Sequence, residues 1–207
     1  MRRSEINDMV RYLSFLEKVL TPARLQHSLG VMQVMGELAD IYALNREIAL
    51  GVGLLHDAAK DLNPSQRERM IEEAAIEIHY PCEHDYVLYL HGPVGSYYIH
   101  KELGINDSLS LNAISRHTYY GNGKDFDSPM CWCLRFSDIL EPTRDWSKVR
   151  WLQEGTPRLR EAVFAGRMEE GALIQTNMLI KWFEEEGKPV HPNMRRVYRE
   201  LSIRQRL

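Results

Sequence analysis

The sequence predicts an all-α fold, a single helical bundle, on two observations. Segment after segment repeats apolar residues at helical spacing between recognisable start and stop residues. No run shows the strict alternation of a half-buried strand, and no hairpin turn is flanked by strands. Met9 to Leu20 puts Val10, Leu13, Leu16, Val19 and Leu20 on one face. Thr21-Pro22 then supplies an N-cap and a proline at the first helical position, where its missing N–H is harmless. Leu25, Leu29, Met32, Met35 and Ala39 carry that helix to Tyr42. Asn45 caps a helix expected from Arg46 to about Lys60, apolar on nearly all sides and therefore central. Asn63-Pro64 opens another, to about Ala75. Pro81 interrupts the pattern between residues 79 and 92, where a short helix from Asp85 to Leu90 is expected. Val94 to Leu103 is stopped by Gly104, and Asn106 is the expected cap of a helix to about Thr118. Tyr119 to Asp127 reads as a polar loop. Ser128-Pro129 starts a helix through Leu140, Thr156-Pro157 a long one to about Glu186, and Pro192 the last. Asp145 to Thr156 is a weak boundary at most. The expectation is one domain, with a core at about 22–144 and C-terminal helices at about 157–207 packed on it.

Composition narrows the function. Lys plus Arg is 26 and Asp plus Glu is 29 in 207 residues, a net charge of −3 that argues against a nucleic-acid backbone as the main partner. With 44% hydrophobic residues the chain has enough apolar surface to fold. Its longest strictly apolar run, Ile48 to Leu55, is far short of the ~20 residues a membrane span needs. The two arginines near the N-terminus precede no apolar block, so a secretory signal is not expected. Three cysteines make no disulfide framework, and a reducing cytoplasm is the expected location.

The chemistry-bearing residues centre on His56-Asp57, at the end of the apolar run Leu54-Leu55-His56-Asp57-Ala58-Ala59-Lys60. Burying such a pair is expensive unless something binds it, and a metal ion takes both imidazole nitrogen and carboxylate oxygen. Lys60 follows on the same helical face, where a cation suits an anionic substrate. The dipeptide alone fits a charged helix end equally well. His27, His91, His117 and Asp138 lie at helix ends or on apolar faces. Each taken singly is more often a hydrogen-bonded core or surface residue. Together, four histidines and two aspartates outnumber one metal's usual protein ligands and point to two metals. Elsewhere the structural reading is preferred. Cys131 and Cys133 read as small core residues, His79 and His84 as surface histidines, and His100 as part of a solvated stretch. His191 reads as a turn-shaping residue rather than a substrate neighbour. Glu184-Glu185-Glu186 reads as a solvated helix end, and the arginines from Arg195 to Arg206 as one side of an amphipathic docking helix.

In order, His27, His56-Asp57 and Asp138 match the H…HD…D signature, and the chain resembles the HD-domain metal-dependent phosphohydrolases. It is similar in particular to their YqeK-like branch, the symmetrical bis(5'-nucleosyl)-tetraphosphatases. Arg24-Leu-Gln-His27, Gly53-Leu-Leu-His56-Asp57-Ala-Ala-Lys60-Asp61 and Leu90-His91-Gly92-Pro93-Val94-Gly95 carry that likeness. So do Arg116-His117-Thr118, Ser137-Asp138-Ile-Leu-Glu141-Pro142-Thr143-Arg144 and Gly187-Lys-Pro-Val-His191-Pro192. The resemblance implies two divalent or trivalent metal ions, with iron as the expected metal. His27, His56, Asp57 and Asp138 would hold one, and Asp57 would bridge to a second held by His91 and His117. It also implies diadenosine tetraphosphate as substrate, cut in the middle to two ADP. Arg24, Lys60 and Arg144 would hold phosphate oxygens, and Asp61 would relay a proton. A nucleotidase and a non-catalytic nucleotide sensor are the alternatives. Neither nucleic acid nor membrane is an expected partner, and a homodimer is the assembly considered. The chain departs from the family pattern after His117, in Thr118-Tyr-Tyr-Gly-Asn-Gly-Lys124, and at residues 137, 139 and 143. None of these is a ligand, and all fall where substrate contact is expected.

Overall fold

A computed structural model describes residues 3–121 and 128–205. Among the described residues the chain forms ten α-helices and no strand, in line with the all-α expectation. They are α1 (Arg3–Val19), α2 (Pro22–Ile41), α3 (Arg46–Leu55), α4 (Pro64–Glu73) and α5 (His91–Leu103), then α6 (Ser108–Arg116), α7 (Pro129–Leu140), α8 (Arg150–Phe164), α9 (Met168–Glu185) and α10 (Pro192–Arg204). The loop expected at 119–127 is described only to Gly121; residues 122–127 lie outside the described residues. No helix among the described residues is long and apolar enough to cross a membrane. Helix α2 packs on α3 and α7, α5 on α6, α8 on α9, and α10 on α9. One apolar cluster runs from Leu16 on α1 to Leu201 on α10. A smaller one, Ala59, Leu62, Met70 and Val94, lies between α4 and α5.

Several boundaries differ from the expectation, each for a local reason. Helix α3 stops at Leu55 instead of Lys60. Beyond it the chain tightens into three-residue turns, Ala58 N to Leu55 O at 3.1 Å and Lys60 N to Asp57 O at 2.9 Å. Such turns keep Ala58, Ala59 and Leu62 buried, so apolar spacing alone does not separate them from helix. Residues 81–90 form a 3₁₀ turn, Pro81–His84, and a π-helical turn, Tyr86–Leu90, that leads directly into α5. Asp107, not Asn106, caps α6, accepting from Ser110 N at 2.8 Å. The long helix expected from Thr156 is two helices. Helix α8 begins at Arg150 and carries Pro157 inside it, because the buried stripe Leu152, Leu159 and Val163 outweighs the lost backbone bond. Gly166, at φ 75°, then ends α8 with Arg167 N on Ala162 O at 2.9 Å and Gly166 N on Val163 O at 3.1 Å. The weak boundary at 145–156 thus covers the connection before α8 and the helix's first seven residues.

Two glycines let helices cross closely. A Cβ on Gly53 would stand 2.9 Å from Met32 Cα and 3.1 Å from Met32 N, both backbone atoms of α2. A Cβ on Gly92 would meet Ser115 O at 2.9 Å and Ile114 O at 3.0 Å, on α6. These approaches bring the rings of His27 and His56 within 5.2 Å of each other, and those of His91 and His117 within 4.9 Å. Backbone cannot swing aside as a side-chain tip can. Gly53→Ala is therefore expected to destabilise the protein by about 1–3 kcal/mol. This would appear as a lower urea midpoint at unchanged m-value; an unchanged midpoint would mean that α2 and α3 part at no cost.

Candidate metal centre

Four imidazoles converge from four elements: His27 in α2, His56 after α3, His91 opening α5 and His117 after α6. His56 and His117 use the same local device. A helix leaves its last carbonyls without partners. His56 Nδ1–H donates back to Gly53 O at 2.8 Å, and His117 Nδ1–H to Ile114 O at 2.6 Å. Each bond satisfies an orphan carbonyl, fixes the tautomer and leaves the Nε2 lone pair facing inward. His27 reaches the same arrangement through Glu141, whose Oε1 accepts from Nδ1 at 3.0 Å. Glu141 is itself buried and held by Thr143, whose backbone N–H and hydroxyl both donate to it at 2.7 Å.

Asp57 stands in the middle, 2% exposed. Its Oδ1 lies 3.2 Å from His91 Nε2, 3.7 Å from His56 Nε2 and 3.9 Å from His117 Nε2. Its Oδ2 lies 3.4 Å from Arg24 Nη1 and 3.9 Å from His27 Nε2. Two sets of side chains therefore share this carboxylate: His27, His56 and Asp57, and Asp57, His91 and His117. In each set the ligand atoms lie within 4.8 Å of one another. His56 Nε2 is buried and has no hydrogen-bond partner among the described residues. An orphaned lone pair beside a buried carboxylate is what a resident cation would satisfy, so the residues fit a metal.

Asp138 sits at the edge of this cluster, belonging to neither set among the described residues. Its Oδ1 is 3.0 Å from His27 Nε2 and 3.9 Å from His56 Nε2, and it accepts from Arg144 Nη2 at 2.6 Å. Lys60 Nζ is 2.8 Å from His91 Nε2 and 3.6 Å from Asp57 Oδ1. Asp61, the expected proton relay, lies beside Thr21 and Arg24. Its Oδ2 accepts from Thr21 N and Thr21 Oγ1 at 2.9 and 3.0 Å, and its Oδ1 faces Arg24 Nε at 3.7 Å. It holds the start of α2, and Thr21 caps through this contact rather than through its own hydroxyl. The turn-shaping reading of His191 agrees with its bonds: Nε2–H donates to buried Glu83 and Nδ1 accepts from Asn193 N. Cys131 and Cys133 are core residues, and burial pushes the Cys133 thiol up to about 12. Glu141 and Gly92 received no role from sequence reasoning. Their signal was position, inside the same motifs as Asp138 and His91.

The charge states suit a cation. Burial lowers the pKa of His56, against the pull of Asp57, and holds that of His117 well down, helped by His91. His91 falls to about 4, through burial and then the charge of Lys60. His27 is the exception: burial would lower its pKa, but the hydrogen bond and charge of Asp138 leave it raised. Burial would raise the pKa of Asp57, yet Lys60, His56 and His91 hold its carboxyl well below the usual range. The cluster closes one side of a cavity of about 320 Å³ that Arg24, Lys60 and Arg144 also line.

A sequence model of the HD domain matches residues 24–168. A protein of Halalkalibacterium halodurans named as a symmetrical bis(5'-nucleosyl)-tetraphosphatase is 27% identical, over 94% of this chain and 97% of its own. A protein of the same name from Bacillus subtilis is 29% identical, over 66% of this chain and 71% of its own. The crystal structure of a predicted HD superfamily hydrolase from Clostridium acetobutylicum superposes with a TM-score of 0.81 at 28% identity, covering 95% of this chain and 97% of that one.

Two outcomes follow for metal binding. Glu141→Ala removes the group that orients His27, and metal affinity should fall about 10- to 100-fold; equilibrium dialysis against manganese would measure it, and an unchanged affinity would remove Glu141 from the site. A proton competes with metal for an imidazole whose pKa is raised. Affinity should therefore fall as the pH drops through the raised pKa of His27, above its ordinary 6.5, while His56, His91 and His117 stay neutral. The same dialysis over a pH series should lose that step in His27→Gln.

Proposed function

As the chain belongs to the HD domain family, we propose that it is a metal-dependent phosphohydrolase that cuts diadenosine tetraphosphate at its central anhydride into two ADP. One observation carries the reading: two three-residue ligand sets share Asp57 beside a cavity whose lining includes the cations Arg24, Lys60 and Arg144. The names of the two relatives supply the substrate class. His27, His56 and Asp57, with Asp138 beside them, would hold one metal, and Asp57, His91 and His117 the second. Bound metals, for which iron is our assignment, lower the pKa of water and neutralise phosphate charge. Phosphoryl transfer is otherwise a matter of positioning and electrostatics.

The chain's own residues do the positioning. Arg144 presents a planar fork and Lys60 a point charge to polyphosphate oxygens. Burial lowers the pKa of Lys60 and Asp57 opposes this, so the charge of Lys60 depends on its anionic surroundings. Arg144 spends its charge on Asp138 at 2.6 Å, and a phosphate oxygen would compete for the same guanidinium. Arg24 bonds Asp57 and is braced by Asp61. Asp61 thus acts through Arg24 and Thr21, as a positioning residue.

The experiment is a panel of dinucleoside polyphosphates and nucleoside mono-, di- and triphosphates, with products resolved early. ADP alone from diadenosine tetraphosphate is the expected result. AMP plus ATP would make the cut asymmetrical, and brisk turnover of a nucleoside monophosphate alone would make the protein a nucleotidase. Elemental analysis should give about two metals per chain. Asp57→Ala should abolish turnover and lower metal content. Lys60→Ala should keep the metals and cut kcat about 100-fold; loss of metal in that variant would overturn its role.

A further inference from the structure

Gln175, on α9, lines the same cavity and is 2% exposed. Its Nε2 donates to Arg135 O at 2.7 Å. A carbonyl can only accept, so this bond decides which end of the amide is nitrogen. The remaining atom, Oε1, is buried and has no hydrogen-bond partner among the described residues. Neighbouring hydroxyls are committed elsewhere: Thr176 Oγ1 donates to Ala172 O and Thr118 Oγ1 to Tyr89 O, each at 2.7 Å. A buried acceptor without a donor is a standing cost, which a ligand bringing an N–H would remove. The walls around it are suited to a flat ring. Trp146, Trp182 and Phe183 line the cavity on the side of α8 and α9. Arg24 and Lys60 line it on the side of α2 and α3. The cavity combines cations, aromatic surface and one unmet acceptor, which suit the phosphate and base ends of one molecule; Arg144 and Lys188 lie over Trp146 and Trp182 at 5.1 and 4.2 Å.

We infer that the α8–α9 side of the cavity takes the nucleobase of one substrate half, and that Gln175 selects it by accepting an N–H from the base edge. The inference rests on the nucleotide reading above and assigns its specificity residue. Adenine in a nucleotide carries N–H only on its exocyclic amine, so in diadenosine tetraphosphate that amine is the group read. Gln175 takes no part in the chemistry at phosphorus.

The test is titration calorimetry of the manganese-loaded protein with ADP and with purine riboside 5'-diphosphate, which lacks only the amine. The protein should bind ADP about tenfold or more tightly, because a site built to hydrogen-bond a group rejects the analogue without it. Gln175→Met should bind both at the weaker affinity. Gln175→Glu, which keeps an acceptor, should retain the preference and decides the matter if Gln175→Met does not fold. Equal binding of the two ligands by the unaltered protein, binding of neither, a preference that survives Gln175→Met, or one lost in Gln175→Glu would each overturn the assignment. Hydrolysis of diadenosine tetraphosphate without amine preference would overturn this inference alone. Amine-dependent ADP binding without hydrolysis would overturn the proposed reaction alone.

Discussion

A carboxylate buried among four imidazoles is the constraint around which this molecule is built. Asp57 is 2% exposed, and an isolated charge there would be prohibitive without partners. Its partners come from α2, from the turn after α3, from the start of α5 and from the end of α6. Those four segments must therefore meet at one point. The close crossings at Gly53 and Gly92 are how they do so, since a methyl group at either would strike backbone. Function and packing share one geometry: the contact that brings α2 onto α3 also sets His27 beside His56.

A second layer of buried polar groups keeps this centre in register. Glu141 orients His27 while taking two bonds from Thr143, and Gly30 leaves it room, because a Cβ there would collide with its carboxylate. Farther out, Glu83 accepts from His79 N, Tyr80 N, Gly121 N and His191 Nε2, tying three loops together. Asn193 donates to Tyr119 O and Gly121 O, and so holds Tyr119 at φ 67° just after His117. A non-glycine residue in the left-handed region persists only where its surroundings over-determine it. Here they are the N-terminus of α10, the Arg135 guanidinium on the Tyr119 ring and the Glu83 hub. The C-terminal helices thus shape the wall of the cavity beside the cluster.

Much of this was legible in the residues alone. Helix starts at Pro22, Pro64, Pro129 and Pro192 and stops at Gly104 and Gly187 follow from backbone chemistry that proline and glycine impose locally. The six candidate ligands could be picked out because buried histidine and aspartate are costly and so few. Their grouping around Asp57 came from the family resemblance, and spacing alone did not give it. That His56 and His117 turn Nε2 inward depends on carbonyls three residues back, and that Asp138 is held by Arg144 depends on a turn after α7. Spacing also could not separate α3 from the tight turns beyond it, nor show that α8 runs through Pro157. In both cases burial against other helices outweighs local preference.

What the sequence by itself determined is the helical class, most helix limits and the inventory of chemistry, since each depends on a residue and its near neighbours. Tertiary structure alone decided how the imidazoles around Asp57 are turned, that Asp61 braces Arg24 and Thr21, and that Gln175 lines the cavity with an unmade bond. The physical reason is the same in each case. A side chain's role is set by which atoms fill its directions in space, and those atoms come from segments tens of residues away that only packing brings together.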